Sequence, residues 1–244
     1  MNVYLAGLHG DLKHLKTLRP LYVLSSFFYV KNEIIEYSKT DDCKDFMLDS
    51  GAFSFFGGKD VDWIKYTDEY IDFINKNDVQ KFFEMDIDNL KSTSFAEMLR
   101  ERIESKTGKQ SIPVWRPMRG VNYWNNMCKE YSYVAISASG MYDSKWTRKK
   151  ESIPAINKMI SIAHENNCKV HGLGFTNQKL LKIIKFDSVD STTWMRARFG
   201  DVSLFDGKEM KIITKRGYRV KSKESTINNL KEWIKFQKYA DIKL

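Results

Sequence analysis

The chain has 244 residues and a mass of 28.6 kDa, with 42% hydrophobic and 29% charged residues, the balance of a folded domain rather than a disordered or fibrous chain. Its 40 Lys and Arg against 31 Asp and Glu leave a net charge of +9, which favours a polyanionic partner and is silent on fold. Three isolated cysteines, Cys43, Cys128 and Cys168, make a poor disulfide framework, and no apolar run nears the roughly 20 residues that span a bilayer, so a reducing cytoplasm is the expected setting.

The opening run MNVYLAGLHGDLKHL meets His9, Asp11 and Lys13 too early for a signal peptide. Eight short β-rich runs follow one another: VYLA at 3–6, YVLSSF at 22–27, FMLD at 46–49, FFEMD at 82–86, IPVW at 112–115, YVAIS at 133–137, KVHGL at 169–173 and FDSVD at 186–190. Between them, helical spacing of apolar residues predicts helices over 61–75 (Trp63, Tyr66, Tyr70, Phe73), 95–103 (Met98, Ile103), 153–164 and 180–184. The connections at 8–20 and 28–45 are short or lack a clean period. Alternating strands and helices imply a parallel sheet, because a parallel return needs a crossover long enough to hold a helix.

Eight strands in this length fit a single (β/α)8 TIM barrel over residues 1–200, with an open doubly wound sheet as the alternative. Beyond Gly200 the pattern changes to the basic stretch KIITKRGYRVKSK at 211–223 and an amphipathic tail carrying Ile227, Leu230, Trp233, Ile234 and Phe236. Residues 201–244 are therefore expected as a basic extension packed on the barrel. No repeat or linker argues for a second domain.

A parallel barrel gathers its chemistry at the C-terminal ends of its strands, and here those ends are acidic. LDSGAFS supplies Asp49, Ser50, Gly51 and Phe53; EMDIDN supplies Asp86 and Asp88; DSVDSTTW supplies Asp187 and Asp190. Each alone reads plainly as a helix cap, but several carboxylates converging on one pocket are a functional candidate, because burying them is costly. Asp187 and Asp190 differ by an odd number, so only one of them faces the mouth. Paired carboxylates cleave glycosidic bonds, one attacking the sugar carbon and one handling the leaving group's proton. Phe53, behind the small residues Gly51 and Ala52, offers an aromatic face for a planar base, or else a core ring at the rim. His164 reads as a helix-face residue and His171 as a strand residue near the pocket.

These segments carry a family resemblance. LDSGAFS resembles the DSGGFQ segment of the tRNA-guanine transglycosylases, HGLGFTNQKLL looks like their MGVGTPDDL segment, and FDSVDSTTWMRARFG is similar to their DMFDCVLPTRxGRNG segment, in the same order over residues 48–200. The DSVDSTTW form, small size and basic composition look more like the phage and bacterial DNA 7-deazaguanine transglycosylases. The resemblance implies Asp190 as the nucleophile on C1′, Asp49 as general acid/base, and Phe53 as the ring stacked on the base. It implies Asp86, or Asp88 in its place, at the guanine edge, with Ser50, Gly51 and Gly172 beside the base. Ser137 and Ala138 fall where the family has a glycine pair, and Trp115 where it has a Gln. Arg196 and Arg198 overlay arginines near ribose and phosphates. The tRNA enzymes also hold zinc in a CxCxxC site with a later His, and no cysteine follows Cys168 here, so no metal is expected. Lys211, Lys215, Arg216, Arg219, Lys221 and Lys223, with Tyr218, suit nucleic-acid contacts or simply a solvated hairpin.

The expectation is thus a DNA base-exchange enzyme that installs a 7-deazaguanine such as preQ0 and needs no cofactor. A tRNA enzyme and a catalytically silent nucleic-acid-binding barrel are the alternatives.

Overall fold

The computed structural model describes residues 1–8, 15–55, 60–137, 150–175, 177–214 and 221–244. Seven parallel strands, β1 (Asn2–Ala6), β2 (Tyr22–Ser26), β3 (Asp45–Asp49), β4 (Val114–Trp115), β5 (Tyr133–Ser137), β6 (Lys169–Leu173) and β7 (Ser188–Ser191), form one curled sheet in the order β3-β2-β1-β7-β6-β5-β4. Seven of the eight expected runs are strands. The expected strand at 82–86 forms no ladder; it makes two isolated parallel bridges, Leu48 to Phe82 and Phe83 to Ile112, between the edges β3 and β4. Four backbone hydrogen bonds hold it there: Leu48 N–H to Lys81 O, Phe83 N–H to Leu48 O, Glu84 N–H to Ile112 O and Ile112 N–H to Phe82 O, at 2.7–3.1 Å. Beyond Phe83 the chain leaves regular pairing.

Alternation along the strands builds two cores. Val3, Leu5, Val23, Val134, Ile136, Val170 and Val189 turn outward and pack with the helices, while Tyr4, Ala6, Tyr22, Leu24, Met47, Phe83, Ile112, Val114, Ala135 and Leu173 form a separate cluster inside the curl. Both faces are therefore apolar, as a parallel sheet covered by helices requires.

The predicted helices appear with shifted ends. α1 (Leu15–Leu18) and α2 (Asn32–Ser38) are short, as the weak period there implies. α3 (Trp63–Asn77) begins where Asp62 accepts the Lys65 N–H and ends at Asp78 in the left-handed region. α4 (Thr93–Thr107) begins where Ser92 accepts the Phe95 N–H and ends at Gly108. α5 (Gly120–Glu130) was not predicted, although Trp124, Met127 and Cys128 bury one helical stripe. α6 (Ile153–Glu165) and α7 (Gln178–Leu181) complete the layer over β5 to β7.

The C-terminal segment is a two-stranded antiparallel hairpin, β8 (Ser203–Phe205) and β9 (Met210–Ile212), followed by the helix α8 (Ser222–Lys243). Leu230, Trp233, Ile234, Phe236 and Ala240 join the outer core with Val3 and Leu5. Gln237 fixes the docking: it donates to Val3 O and Tyr22 O at 2.7 and 2.8 Å and accepts the Leu21 N–H at 2.6 Å. No helix among the described residues is long and apolar enough to cross a membrane.

Candidate active site

Three separate segments bring carboxylates to the C-terminal end of the sheet. Asp49 closes β3 and is half-buried; Gly51 N–H donates to its Oδ2 at 3.1 Å. Gly51 holds φ +78°, and a Cβ there would meet Ser26 Oγ at 2.7 Å and Phe28 Cβ at 2.8 Å, so only glycine lets the backbone fold back onto the carboxyl. Burial pushes the Asp49 carboxyl up to about 7, with the charges of Asp86 and Asp190 adding to the effect and the Gly51 N–H opposing it. Asp49 therefore senses both other carboxylates: positions 49, 86 and 190, distant in sequence, share one electrostatic neighbourhood.

Asp190 lies on the inner face of β7 and is 7% exposed. Its Oδ1 accepts the Gly174 N–H at 2.5 Å and faces His171 Nε2 at 3.3 Å. Asp187 sits at the opposite end of the strand, where its Oδ2 takes the Val170 N–H and faces His164 Nε2. It takes no part in the mouth.

Asp86 and Asp88 are not free carboxylates. Arg116 grips Asp86 through Nε and Nη2 at 2.7 and 2.5 Å, and Arg119 grips Asp88 through Nε and Nη2 at 2.9 and 2.8 Å. Glu84, fully buried, accepts the Val114 N–H at 2.6 Å and pairs with Arg119 at 3.1 Å and Arg100 at 3.3 Å. Burial raises the Glu84 carboxyl to about 7 against the pull of both arginines. The run Glu84, Asp86, Asp88 is thus matched by Arg100, Arg116 and Arg119, giving zero net formal charge. Of the two candidates for the base edge, Asp86 is the one that Asp49 feels.

Other expected site residues fall as follows. Phe53 is 59% exposed in the turn Ala52–Phe55, immediately beyond Asp49. Ser50 is buried, with its carbonyl accepting the Tyr66 hydroxyl at 2.8 Å. Ser137 is buried at the end of β5. Ala138 lies outside the described residues. Trp115 does not reach the mouth: it packs on Trp124 in the outer core and donates its indole N–H to Gly120 O at 2.8 Å. Gly172 likewise belongs to the outward parity of β6, where a Cβ would strike the Phe186 ring at 2.9 Å. Its smallness serves packing behind the sheet.

Arg196 and Arg198 are exposed in the turn Thr193–Phe199 after β7; Arg196 pairs with Asp201 at 2.6 Å, and Arg198 lies over the Phe199 ring at 4.8 Å. Lys211 pairs with Asp206 and Lys221 with Glu224. Lys223 is exposed, while Lys215, Arg216, Tyr218 and Arg219 lie outside the described residues. The three cysteines, just before β3, on α5 and before β6, are free and buried, and among the described residues no three His, Cys, Asp or Glu side chains gather to hold a metal.

Asp49 makes one stability prediction. Its folded pKa of about 7 stands above the roughly 3.9 of an unfolded Asp, so its contribution to stability is fully present below about pH 4 and is lost as pH rises through 7. Asn at this position still accepts the Gly51 N–H but carries no charge. Asp49→Asn should therefore be more stable than wild type at pH 8 by about 1–3 kcal/mol, a range that allows for solvent access, with the gap closing near pH 4. Urea unfolding at the two pH values measures it, and equal stabilities at pH 8 would contradict the desolvated carboxyl.

No protein-family model matches the chain, and no curated protein matches it.

Proposed function

We propose that the chain is a base-exchange transglycosylase that replaces guanine in DNA with a 7-deazaguanine base. What supports this reading is that Asp49 at the end of β3, Asp86 at the end of the segment 82–86 and Asp190 on β7 all stand toward the C-terminal end of the sheet, with burial raising the Asp49 carboxyl to about 7. A proton shuttle works best with a pKa near the operating pH, because it must donate in one half-reaction and accept in the other. Support for a complete (β/α)8 barrel comes from the bridges at Leu48–Phe82 and Phe83–Ile112, which place an eighth segment between β3 and β4.

In the first half-reaction an Asp190 oxygen bonds to C1′ of the deoxyribose, the C1′–N9 bond breaks, and guanine leaves with the Asp49 proton. In the second, N9 of the incoming deazapurine bonds to C1′, its proton passes to Asp49, and Asp190 departs as a carboxylate. One N-glycosidic bond replaces another, so the exchange draws on no external energy source. Phe53, exposed beside Asp49, offers a stacking face, and Arg196 and Arg198 flank the strand-end turn that follows Asp190. The target base must leave its stack at a cost of a few kcal/mol, which favours single-stranded or melted DNA.

The test is mass spectrometry of nucleosides from DNA and, separately, from tRNA incubated with the protein and candidate 7-deazaguanines. A deazapurine deoxynucleoside matched by released guanine is expected. Incorporation confined to tRNA transfers the reading to RNA. Salt-sensitive DNA binding without incorporation in either polymer would leave a binding barrel instead.

A further inference from the structure

The carboxylate proposed as nucleophile is the end of a buried hydrogen-bonded chain. Asp190 Oδ1 faces His171 Nε2 at 3.3 Å; His171 Nδ1 lies 2.5 Å from Ser188 Oγ, and that oxygen lies 2.5 Å from the Tyr133 hydroxyl. The four side chains come from β5, β6 and β7, all on the inner parity, and the strand register sets His171 opposite Ser188. His171 and Ser188 are fully buried. The rings of Tyr4 and Phe83 stand edge-on to the imidazole at 6.0 and 5.3 Å and fix its plane.

The network orients the ring. Nε2 faces the carboxylate, which bonds an imidazole through its N–H, so the hydrogen on Nε2 points at Asp190. Nδ1 bonds Ser188 Oγ, and that oxygen bonds the Tyr133 hydroxyl, so one line of hydrogen bonds sets the tilt of the imidazole. Gly174 N–H also donates to Oδ1, and among the described residues Oδ2 receives no hydrogen bond.

We propose that His171, held in orientation by Ser188 and Tyr133, is the positioning residue of Asp190, and that Oδ2 is the oxygen that bonds to C1′. This role rests on the base-exchange reading. As Oδ2 bonds to C1′ and the bond to guanine breaks, the negative charge leaves the carboxylate. When N9 of the incoming base bonds to C1′ and the Oδ2–C1′ bond breaks, the electron pair returns to Asp190, where the His171 and Gly174 N–H groups stabilise it. Loss of the His171 donor therefore slows release from the covalent adduct more than its formation.

The experiment compares His171→Phe, which keeps the apolar packing, with His171→Gln, which keeps a donor, in labelled-base incorporation and in trapping of the protein–DNA adduct under denaturing conditions. Expected for His171→Phe is a kcat lower by about tenfold to a hundredfold with KM for the base moved by less than about threefold. The fraction of enzyme held as adduct rises, and His171→Gln restores most of the lost rate. Should His171→Phe lose its cooperative melt, Ser188→Ala carries the test: Nε2 keeps its hydrogen toward the carboxylate, but the ring loses the bond that fixes its orientation, so a fall of about threefold to tenfold and a smaller adduct rise are expected. Wild-type kinetics in His171→Phe or in Ser188→Ala, or equal losses in the Phe and Gln variants with unchanged melting, overturn the role. A wild-type chain that exchanges no base and forms no adduct strikes the base-exchange reading itself, and this role with it.

Discussion

Asp190→Asn should lower base exchange by a factor on the order of 10⁴, the scale of losing a covalent nucleophile, while leaving the fold and DNA binding in place. Asn is the informative change because its Oδ1 still accepts the Gly174 and His171 N–H groups, whereas Ala would leave a buried amide donor without its acceptor. The amide oxygen is a poor nucleophile toward C1′, so no adduct resistant to denaturant should form. Melting temperature and salt-dependent DNA affinity serve as controls, and both should track wild type. Turnover within tenfold of wild type would take the attacking role away from Asp190, whatever else the mouth does.

The fold was legible wherever burial is written in local composition. Strands such as YVAIS and KVHGL stand out because parallel strands covered on both faces are apolar throughout. The segment 82–86 reads the same way, yet its pairing ends with the bridges at Phe82 and Phe83 and the Glu84 N–H on Ile112 O, because Glu84, Asp86 and Asp88 follow at once and each takes a cation. Helix α5 escaped notice for a comparable reason: its buried stripe is only Trp124, Met127 and Cys128, set among polar residues. In the site, parity separates Asp187 from Asp190, and the same rule sets Trp115 and Gly172 apart from the mouth. Alternation from the buried outer-face Val134 and Val170 places Ile136 and Gly172 outside, with Ser137 and His171 inside. The arginines are the less legible part of the site. Three alternating acids near one strand end call for three buried cations, and RPMR, directly after IPVW, holds two of them at Arg116 and Arg119. Arg100, on α4, is a tertiary partner that no local pattern announces.

That cluster is where the largest loss of stability is expected. Arg119→Met keeps much of the side chain's volume but leaves Asp88 without its bidentate partner and Glu84 with only the longer contact to Arg100. Breaking one side of a buried ion pair costs about 3–5 kcal/mol, because the orphaned charge stays out of water. In a chain of this length that corresponds to a melting temperature lower by roughly 10 °C or more. Glu84 also gives the effect a pH signature. Its folded pKa of about 7 already exceeds the roughly 4.3 of an unfolded Glu, so its contribution is present at low pH and is lost as pH rises through 7. Removing Arg119 takes away a cation that holds this pKa down, so the deficit of Arg119→Met should shrink as the pH falls from 8 to 5. Adding Asp88→Asn to Arg119→Met should return most of the loss, since it leaves Asp86 with Arg116 and Glu84 with Arg100 and no acid without a cation. Guanidinium unfolding of the single and double variants at the two pH values makes the comparison. A single-variant loss below about 1 kcal/mol would mean that water reaches and screens these charges. The cluster would then be too loose to hold Asp86 in place through Arg116, three residues before Arg119.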